Sequence, residues 1–334
     1  MKSDRLPRQL ALLLFAVVVL AWGSNWPVTK TMVQSIPPLW TAALRSAVAS
    51  VVLLVLLAVQ GNLVVPRRAD LPVVFGIAIP HMVAFSGLVA IGIQFVPAGR
   101  ASVLGYTTPL WVIPAGRLFL GEPITRYHLA GGAVALTGLA IMFNPASFDW
   151  NDGRALFGNG LLLLAAACWA VSIVYVRAHR WVSTPFQLVF WEALLASGLL
   201  GGLALRFEGV PRIEWTPRLL LLLLYGGVCG NALAYWAIAT VNRSLPASVT
   251  SLGLLATPVV GTLMAALALG EPITPGLLGA MALIVGGIAL GTFARPGIRT
   301  PSTFRRDTSR GSPLPSSAPR PDAPGYGRTA SRDT

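Results

Sequence analysis

Two charges sit where an apolar chain has most reason to exclude them. Glu192 is the only acid well inside a long hydrophobic run, and Arg45 lies well inside another. An ionisable side chain at mid-membrane costs at least a few kcal/mol by insertion scales, so each calls for a partner or a task. Counted from Pro38 and Pro185, both lie eight residues into their segments. That is roughly 10–12 Å from opposite faces of a hydrocarbon core about 30 Å thick. Their depths then differ by about 10 Å, much of which a long Arg side chain spans. A functional reading makes both charges polar contacts or gates of a central cavity, with Glu192 as a titratable coupling group. A structural reading holds each charge on backbone carbonyls or on another helix.

Other residues carry chemistry in the same runs. His81 follows Pro80, which breaks a backbone hydrogen bond and exposes carbonyls. Histidine changes charge near neutral pH, so His81 is a second coupling candidate; the alternative is a neutral imidazole bonded to a neighbouring helix. Asn231 and Tyr235 are four apart and share a helical face, with Trp236 beside them. They suit a cavity wall, although aromatics at this depth also serve ordinary packing. Trp22 and Trp26 share one face of the first run, with Asn25 between them and Lys30 beyond. Trp26 reads as an interfacial anchor, whereas Trp22 and Asn25 lie deeper. Trp169 and Tyr175 occupy the matching region further along, and Tyr106 and Trp111 flank Thr108–Pro109.

The elements that position these residues are transmembrane helices. Of 334 residues, 54% are hydrophobic and 11% charged, against about a quarter charged in a soluble domain. Apolar runs near 9–29, 38–59, 71–93, 98–118, 127–144, 158–178, 185–205, 217–239, 247–269 and 275–294 are long enough to span a bilayer as helices. Runs such as "LLLLAAAC" are apolar on every side, which argues against β-strands. The first run is too long for a cleaved signal peptide and lacks a small-residue cleavage site. Cys168 and Cys229 both fall inside spans and imply neither a disulfide nor a metal site. Lys and Arg concentrate on the N-terminal side, at Arg67, Arg68, Arg117, Arg126, Arg177 and Arg180 and in the tail. Both termini are therefore expected in the cytoplasm, as an even number of spans requires. Residues 295–334 are rich in Pro, Ser and Arg and are expected to form a disordered basic cytoplasmic tail. The tail's eight Arg and three Asp contribute +5 to the net charge of +13, which suits anionic headgroups better than nucleic acid, since no nucleic-acid module accompanies it.

The letters GEPIT occur at Gly121–Thr125 and again at Gly270–Thr274. A shift of 149 lays 98–142 on 247–291 without a gap, and a shift of 147 matches Trp22 with Trp169 and Pro38 with Pro185. This is an internal duplication. Each half holds five spans, so the second enters the membrane from the opposite face and the halves are related by an in-plane two-fold axis. The expected division is a cytoplasmic N-terminus (1–8), a first five-helix repeat (9–144), a second (158–294) and the tail (295–334). In the repeated turn, Gly121 and Gly270 end the preceding helices, and Pro123 and Pro272 start the next. Glu122 and Glu271 are either caps of the next helix or partners of an Arg such as Arg117 or Arg126, with proton carriage the alternative. Gly and Ala crowd the fifth and tenth spans, and Gly287–Gly291 has GxxxG spacing, which fits packing within the chain or a homodimer face.

The segments "WGSNWPVTK" and "GLVAIGIQFVPAGRASVLGYTTPLWV", with the two "LGEPIT" turns, resemble the EamA family of the drug/metabolite transporter superfamily. The resemblance covers 9–294. It implies a ten-helix inverted-repeat carrier, often an exporter of amino acids, other metabolites or toxic compounds, and its cavity-lining WG-N segment falls on Trp22 and Asn25. No zinc, P-loop or nucleophile-elbow motif appears, so neither an enzyme nor a cofactor is expected. The expectation is a secondary transporter of small molecules in the inner membrane, surrounded by lipid. The alternative is a scaffold or sensor that retains a carrier fold.

Overall fold

Prolines punctuate the apolar runs and set where helices begin. In the computed structural model, which describes residues 6–121, 124–143, 151–179, 182–245 and 253–293, the first half comprises α1 (Arg8–Met32), α2 (Pro38–Val59), α3 (Leu71–Gly92), α4 (Ala98–Gly105), α5 (Thr108–Leu120) and α6 (Arg126–Phe143). The second comprises α7 (Gly153–Ala178), α8 (Pro185–Phe207), α9 (starting as Pro217–Leu224 and ending as Ala234–Ser244), α10 (Ala256–Leu269) and α11 (Pro275–Phe293). Helices α2, α8, α9 and α11 all open on proline, whose missing N–H is no loss in a first turn. At α8 the start is reinforced by a capping box between Thr184 and Gln187.

Six described helices, α1, α2, α3, α7, α8 and α9, are long and apolar enough to cross a membrane, and α10 and α11 are shorter apolar helices. The outer faces carry exposed Leu13, Val51, Leu118, Phe119 and Leu267, as hydrocarbon surroundings require. The span expected over 98–118 is two helices rather than one. Pro109 cannot donate to the Gly105 carbonyl. The Thr107 and Thr108 hydroxyls instead donate to the carbonyls of Leu104 and Gly105, at 2.7 and 3.0 Å. The span expected over 247–269 is described only from residue 253, and the tail lies outside the described residues.

Two long helices contain a wider π-helical stretch, Ala78–Phe85 in α3 and Tyr225–Leu233 in α9. The first holds Pro80, whose unmade hydrogen bond a π turn absorbs. The shift of 147 that lays Pro38 on Pro185 also lays Ala78 on Tyr225, so the wide turns recur at equivalent places.

Packing follows an exchange pattern. Helix α1 lies along α10, and α5 along α7, while α2 pairs with α8 and α6 with α11. A two-fold relation between halves produces such a pattern. Acids at helix ends tie the halves further. Glu208, after α8, accepts from the amides of Leu39 and Trp40 at the start of α2, at 2.9 and 3.1 Å. Asp70, before α3, accepts from the Ser183 amide and hydroxyl at 2.9 and 2.8 Å and from the Arg67 amide at 3.1 Å. Burial pushes the Asp70 carboxyl up, but these hydrogen bonds outweigh it and hold the group below the usual carboxylate range.

The α6–α11 contact depends on absent side chains. A Cβ on Gly131 would strike the backbone of Gly287 and Gly291, and one on Gly138 would fall 2.7 Å from the Ala280 carbonyl oxygen. The Gly287–Gly291 spacing therefore lets two helices of one chain meet at backbone distance. Gly131→Ala is expected to destabilise the protein by about 1–3 kcal/mol. Gly132→Ala, whose Cβ meets nothing within 4 Å, is expected to be neutral or to stabilise by about 0.5–1 kcal/mol. Thermal unfolding in detergent, comparing the two variants, checks both.

Candidate functional site

Polar side chains from both halves converge on one cavity between the helices. Trp22, Asn25, Trp26 and Thr29 reach it from α1 and Arg45 from α2. His81, Phe85 and Ser86 come from α3, and Tyr106 from the break after α4. The second half supplies Trp169 from α7 and Gly230, Asn231 and Tyr235 from α9. The free volume is about 90 Å³, below the roughly 300–1,000 Å³ of common small-molecule pockets.

Arg45 is the organising charge. Its Nη1 donates to Thr29 Oγ1 at 2.7 Å and its Nη2 to Asn231 Oδ1 at 3.1 Å. Thr29 passes the chain on, donating to the Asn25 carbonyl at 2.8 Å. Room for this cation comes from the glycines of the π stretch in α9. A Cβ on Gly226 would lie 2.9 Å from Arg45 Nε, and one on Gly230 would lie 2.8 Å from Asn25 Oδ1. Both of those polar atoms are buried without a partner.

Rings make up the rest of the wall. His81 stacks on Trp169 with centroids 5.2 Å apart and planes 5° from parallel, and it meets Tyr235 edge-on at 6.1 Å. Tyr106 stands edge-on to Trp169 at 5.8 Å, and Trp22 edge-on to Tyr235 at 6.2 Å. Centroid distances of this range are those of favourable aromatic pairs. His81 thus touches rings on α3, α7 and α9.

The structure brings Trp22, Asn25, Arg45, His81, Tyr106, Trp169, Asn231 and Tyr235 together, and leaves three other candidates outside the cavity wall. Glu192 is 3% exposed on α8. Its Oε1 has no hydrogen-bond partner, and it forms no ion pair with Arg45 among the described residues. Trp236 packs with Phe186 and Phe190 in the apolar cluster between α2, α3 and α8. One step along α9 from Tyr235 turns a side chain about 100° away from the face that Tyr235 occupies. Tyr175 covers Gly76 and stacks on His179 at 4.2 Å, near the end of α7. Trp26 is a cavity residue, 7% exposed, rather than an interfacial anchor, because it closes over Gly105. Thr29, Phe85, Ser86 and Gly230 join the wall without any charge or motif to single them out.

Charges from both halves meet backbone groups at the joint between α3 and α4. Lys30 Nζ donates to the carbonyls of Ile93, Gln94 and Val96 at 2.6, 3.0 and 2.9 Å, capping the end of α3. Glu271 accepts from the amides of Ala98 and Gly99 at 2.7 and 2.9 Å, capping the start of α4. Glu271 therefore caps a helix of the other half, not the helix that follows it. The carboxylate is also close enough to Lys30 for the two charges to attract. Gly121 and Gly270 end α5 and α10 with φ of 68° and 67°, a region that suits glycine. Glu122 and Pro123 lie outside the described residues; Pro272 sits in the Glu271 turn.

A helical membrane bundle with an internal polar cavity is the architecture of a transporter, and comparison with known proteins supports that class. The model of the EamA-like transporter family matches residues 9–144 and 156–293. The chain belongs to that family. It is 28% identical over 276 residues to the uncharacterized transporter YoaV of Bacillus subtilis (strain 168), covering 83% of this chain and 94% of that one. It is 30% identical over 303 residues to a probable amino-acid metabolite efflux pump of Salmonella typhimurium (strain LT2), covering 86% and 96%. The uncharacterized inner membrane transporter YedA of Escherichia coli (strain K12) is 26% identical over 289 residues, covering 84% and 90%. A crystal structure of a protein 22% identical shares the fold, with a TM-score of 0.63 over 86% of this chain and 98% of that one. The chain is a multi-pass membrane protein.

Glu271→Ala strips two amides at the start of α4 of their acceptor. It is expected to cost about 0.5–2 kcal/mol and to speed hydrogen exchange at residues 98–101, with α8 unchanged. Unaltered exchange at 98–101 would show that the cap does not hold this seam.

Proposed function

We propose that this protein is a secondary carrier that exports a small metabolite, an amino acid or a toxic compound across the inner membrane by alternating access. Ten transmembrane helices form two inverted repeats, 9–144 and 158–294, with the N-terminus (1–8) and the basic tail (295–334) in the cytoplasm. The observation that carries this reading is the cavity itself, a polar, aromatic-walled hollow built by both halves around Arg45. The exchange pattern of helix packing and the matched π stretches support the inverted pair. The name of the Salmonella relative, a probable amino-acid metabolite efflux pump, supports a small metabolite as the solute and export as the direction.

In this reading Trp22, Asn25, Arg45, His81, Tyr106, Trp169, Asn231 and Tyr235 contact the solute. Glu192 is the coupling group. It is buried, its Oε1 has no partner, and its neighbour Ala193 belongs to the cluster against which Tyr235 packs, so a change in its charge is felt at the cavity wall. His81, stacked in the wall, is the second titratable group. The small free volume fits a contracted state that must open towards one face to load. The repeated turns at Gly121 and Gly270 end equivalent helices of the two repeats and serve the structure rather than the proton.

Reconstituted protein is expected to catalyse counterflow of at least one member of a panel of amino acids, their analogues and their metabolites, above protein-free vesicles. In the same vesicles an imposed pH gradient is expected to accelerate flux by the wild type. Glu192→Gln should still bind and exchange solute while losing that acceleration. An unchanged response to the gradient in a folded Glu192→Gln protein rejects Glu192 as the coupling group. A flat counterflow across the whole panel removes the main support for transport.

A further inference from the structure

If the cavity is the solute site of a carrier, as proposed above, its wall selects among solutes by charge. The wall holds one guanidinium and, among the described residues, no Asp or Glu. Arg45 rests on two neutral oxygens, Thr29 Oγ1 and Asn231 Oδ1. Its Nε is buried with no acceptor, although a guanidinium carries N–H groups on every nitrogen. Glu192, on the packed helix α8, makes no ion pair with it among the described residues. A buried cation held only by neutral groups is strongly disfavoured until a counter-charge arrives. The wild-type fold supplies none at this wall, so the solute must.

The shape of that counter-charge follows from the donor. A guanidinium is a planar fork that matches the two oxygens of a carboxylate. Asn25 holds the second unpartnered polar atom of the wall, and rotating its amide offers N–H₂ to the same anion. The remaining wall is flat. Trp169 carries the stacked His81 ring, and Tyr106 and Tyr235 stand edge-on around them. An ammonium group meets no carboxylate in this wall. The free volume of about 90 Å³ is below the roughly 150 Å³ of an apolar cavity that takes benzene, so a ring-bearing solute enters only as the helices part.

The geometry points to a small planar monocarboxylate without an ammonium group as the solute, its carboxylate on Arg45 and Asn25 and its flat body against the Trp169 and Tyr235 rings. Anions then enter the cavity as the missing partner of a buried cation. Amines and zwitterions of the same size are disfavoured.

Three probes that share a phenyl ring and differ in charge test this: benzoate, benzylamine and phenylglycine. Binding of labelled benzoate to purified full-length protein is measured directly, the other two by displacement. Exchange is then followed in proteoliposomes at neutral pH, where benzoate is an anion, benzylamine a cation and phenylglycine a zwitterion, above protein-free vesicles. Benzoate is expected to bind at least about tenfold tighter than benzylamine, with phenylglycine between them. Arg45→Gln is expected to weaken benzoate at least about tenfold, and Arg45→Lys, which keeps the charge and loses the fork, about threefold. Should Arg45→Gln fail to fold, the ranking of the three probes on the wild type and the Arg45→Lys result decide. Preference for benzylamine or phenylglycine, or equal benzoate affinity in folded Arg45→Gln, overturns the carboxylate assignment and leaves the carrier reading standing. Exchange of other panel solutes but none of these three likewise overturns it alone. If no solute of any kind exchanges, both the assignment and the carrier reading fail.

Discussion

A chain in hydrocarbon has to satisfy its backbone groups and charges from within itself, because no water is at hand to do so. The seam over residues 93–99 shows how far that constraint reaches. One helix ends and another begins there, leaving carbonyls on one side and amides on the other. Lys30 takes the carbonyls of Ile93, Gln94 and Val96, and Glu271 takes the amides of Ala98 and Gly99. Glu208 and Asp70 repeat the solution at the start of α2 and in the loop before α8. In each of these acid contacts, one half supplies the carboxylate and the other the backbone. The charges that a soluble protein would spread over its surface are used here as pins between halves.

That arrangement separates two kinds of cohesion. Along the rods the halves meet through close apolar contact, as where Gly131 and Gly138 of α6 approach α11. At the ends they meet through carboxylate-to-amide bonds, which exchange with water when a face opens. In the carrier reading, the rods hold their packing while the end pins break and re-form. Between them lies a cavity whose cation has only neutral hydrogen-bond partners among the described residues.

Much of the site was legible in the sequence, for a physical reason. A polar or charged residue in an apolar run is conspicuous because it is costly, and Arg45, Asn25, His81 and Asn231 all proved to face one hollow. The duplication was legible too, since turns such as GEPIT constrain residue type. Other features left no such mark. Thr29, Ser86 and Gly230 are common in membrane helices, and only their neighbours make them cavity residues. The π stretches arise from hydrogen bonds that shift register without a change of composition, although Pro80 hinted at one. Glu271 was legible as a cap but not its target, because it bonds to amides 173 and 172 positions away in the chain. Glu192 and Trp236 show the converse limit. Depth along a helix can be counted, but which face meets the hollow depends on rotation about an axis that only packing sets.

The central claim is that one cavity serves both faces of the membrane in turn. Ser86, on its wall, reports on this directly when replaced by cysteine in a background lacking Cys168 and Cys229. Vesicles of known orientation are treated with a membrane-impermeant thiol reagent from one side and then from the other, with and without solute. The account predicts modification from both sides, with solute shifting the ratio. Modification from a single side under every condition would contradict it.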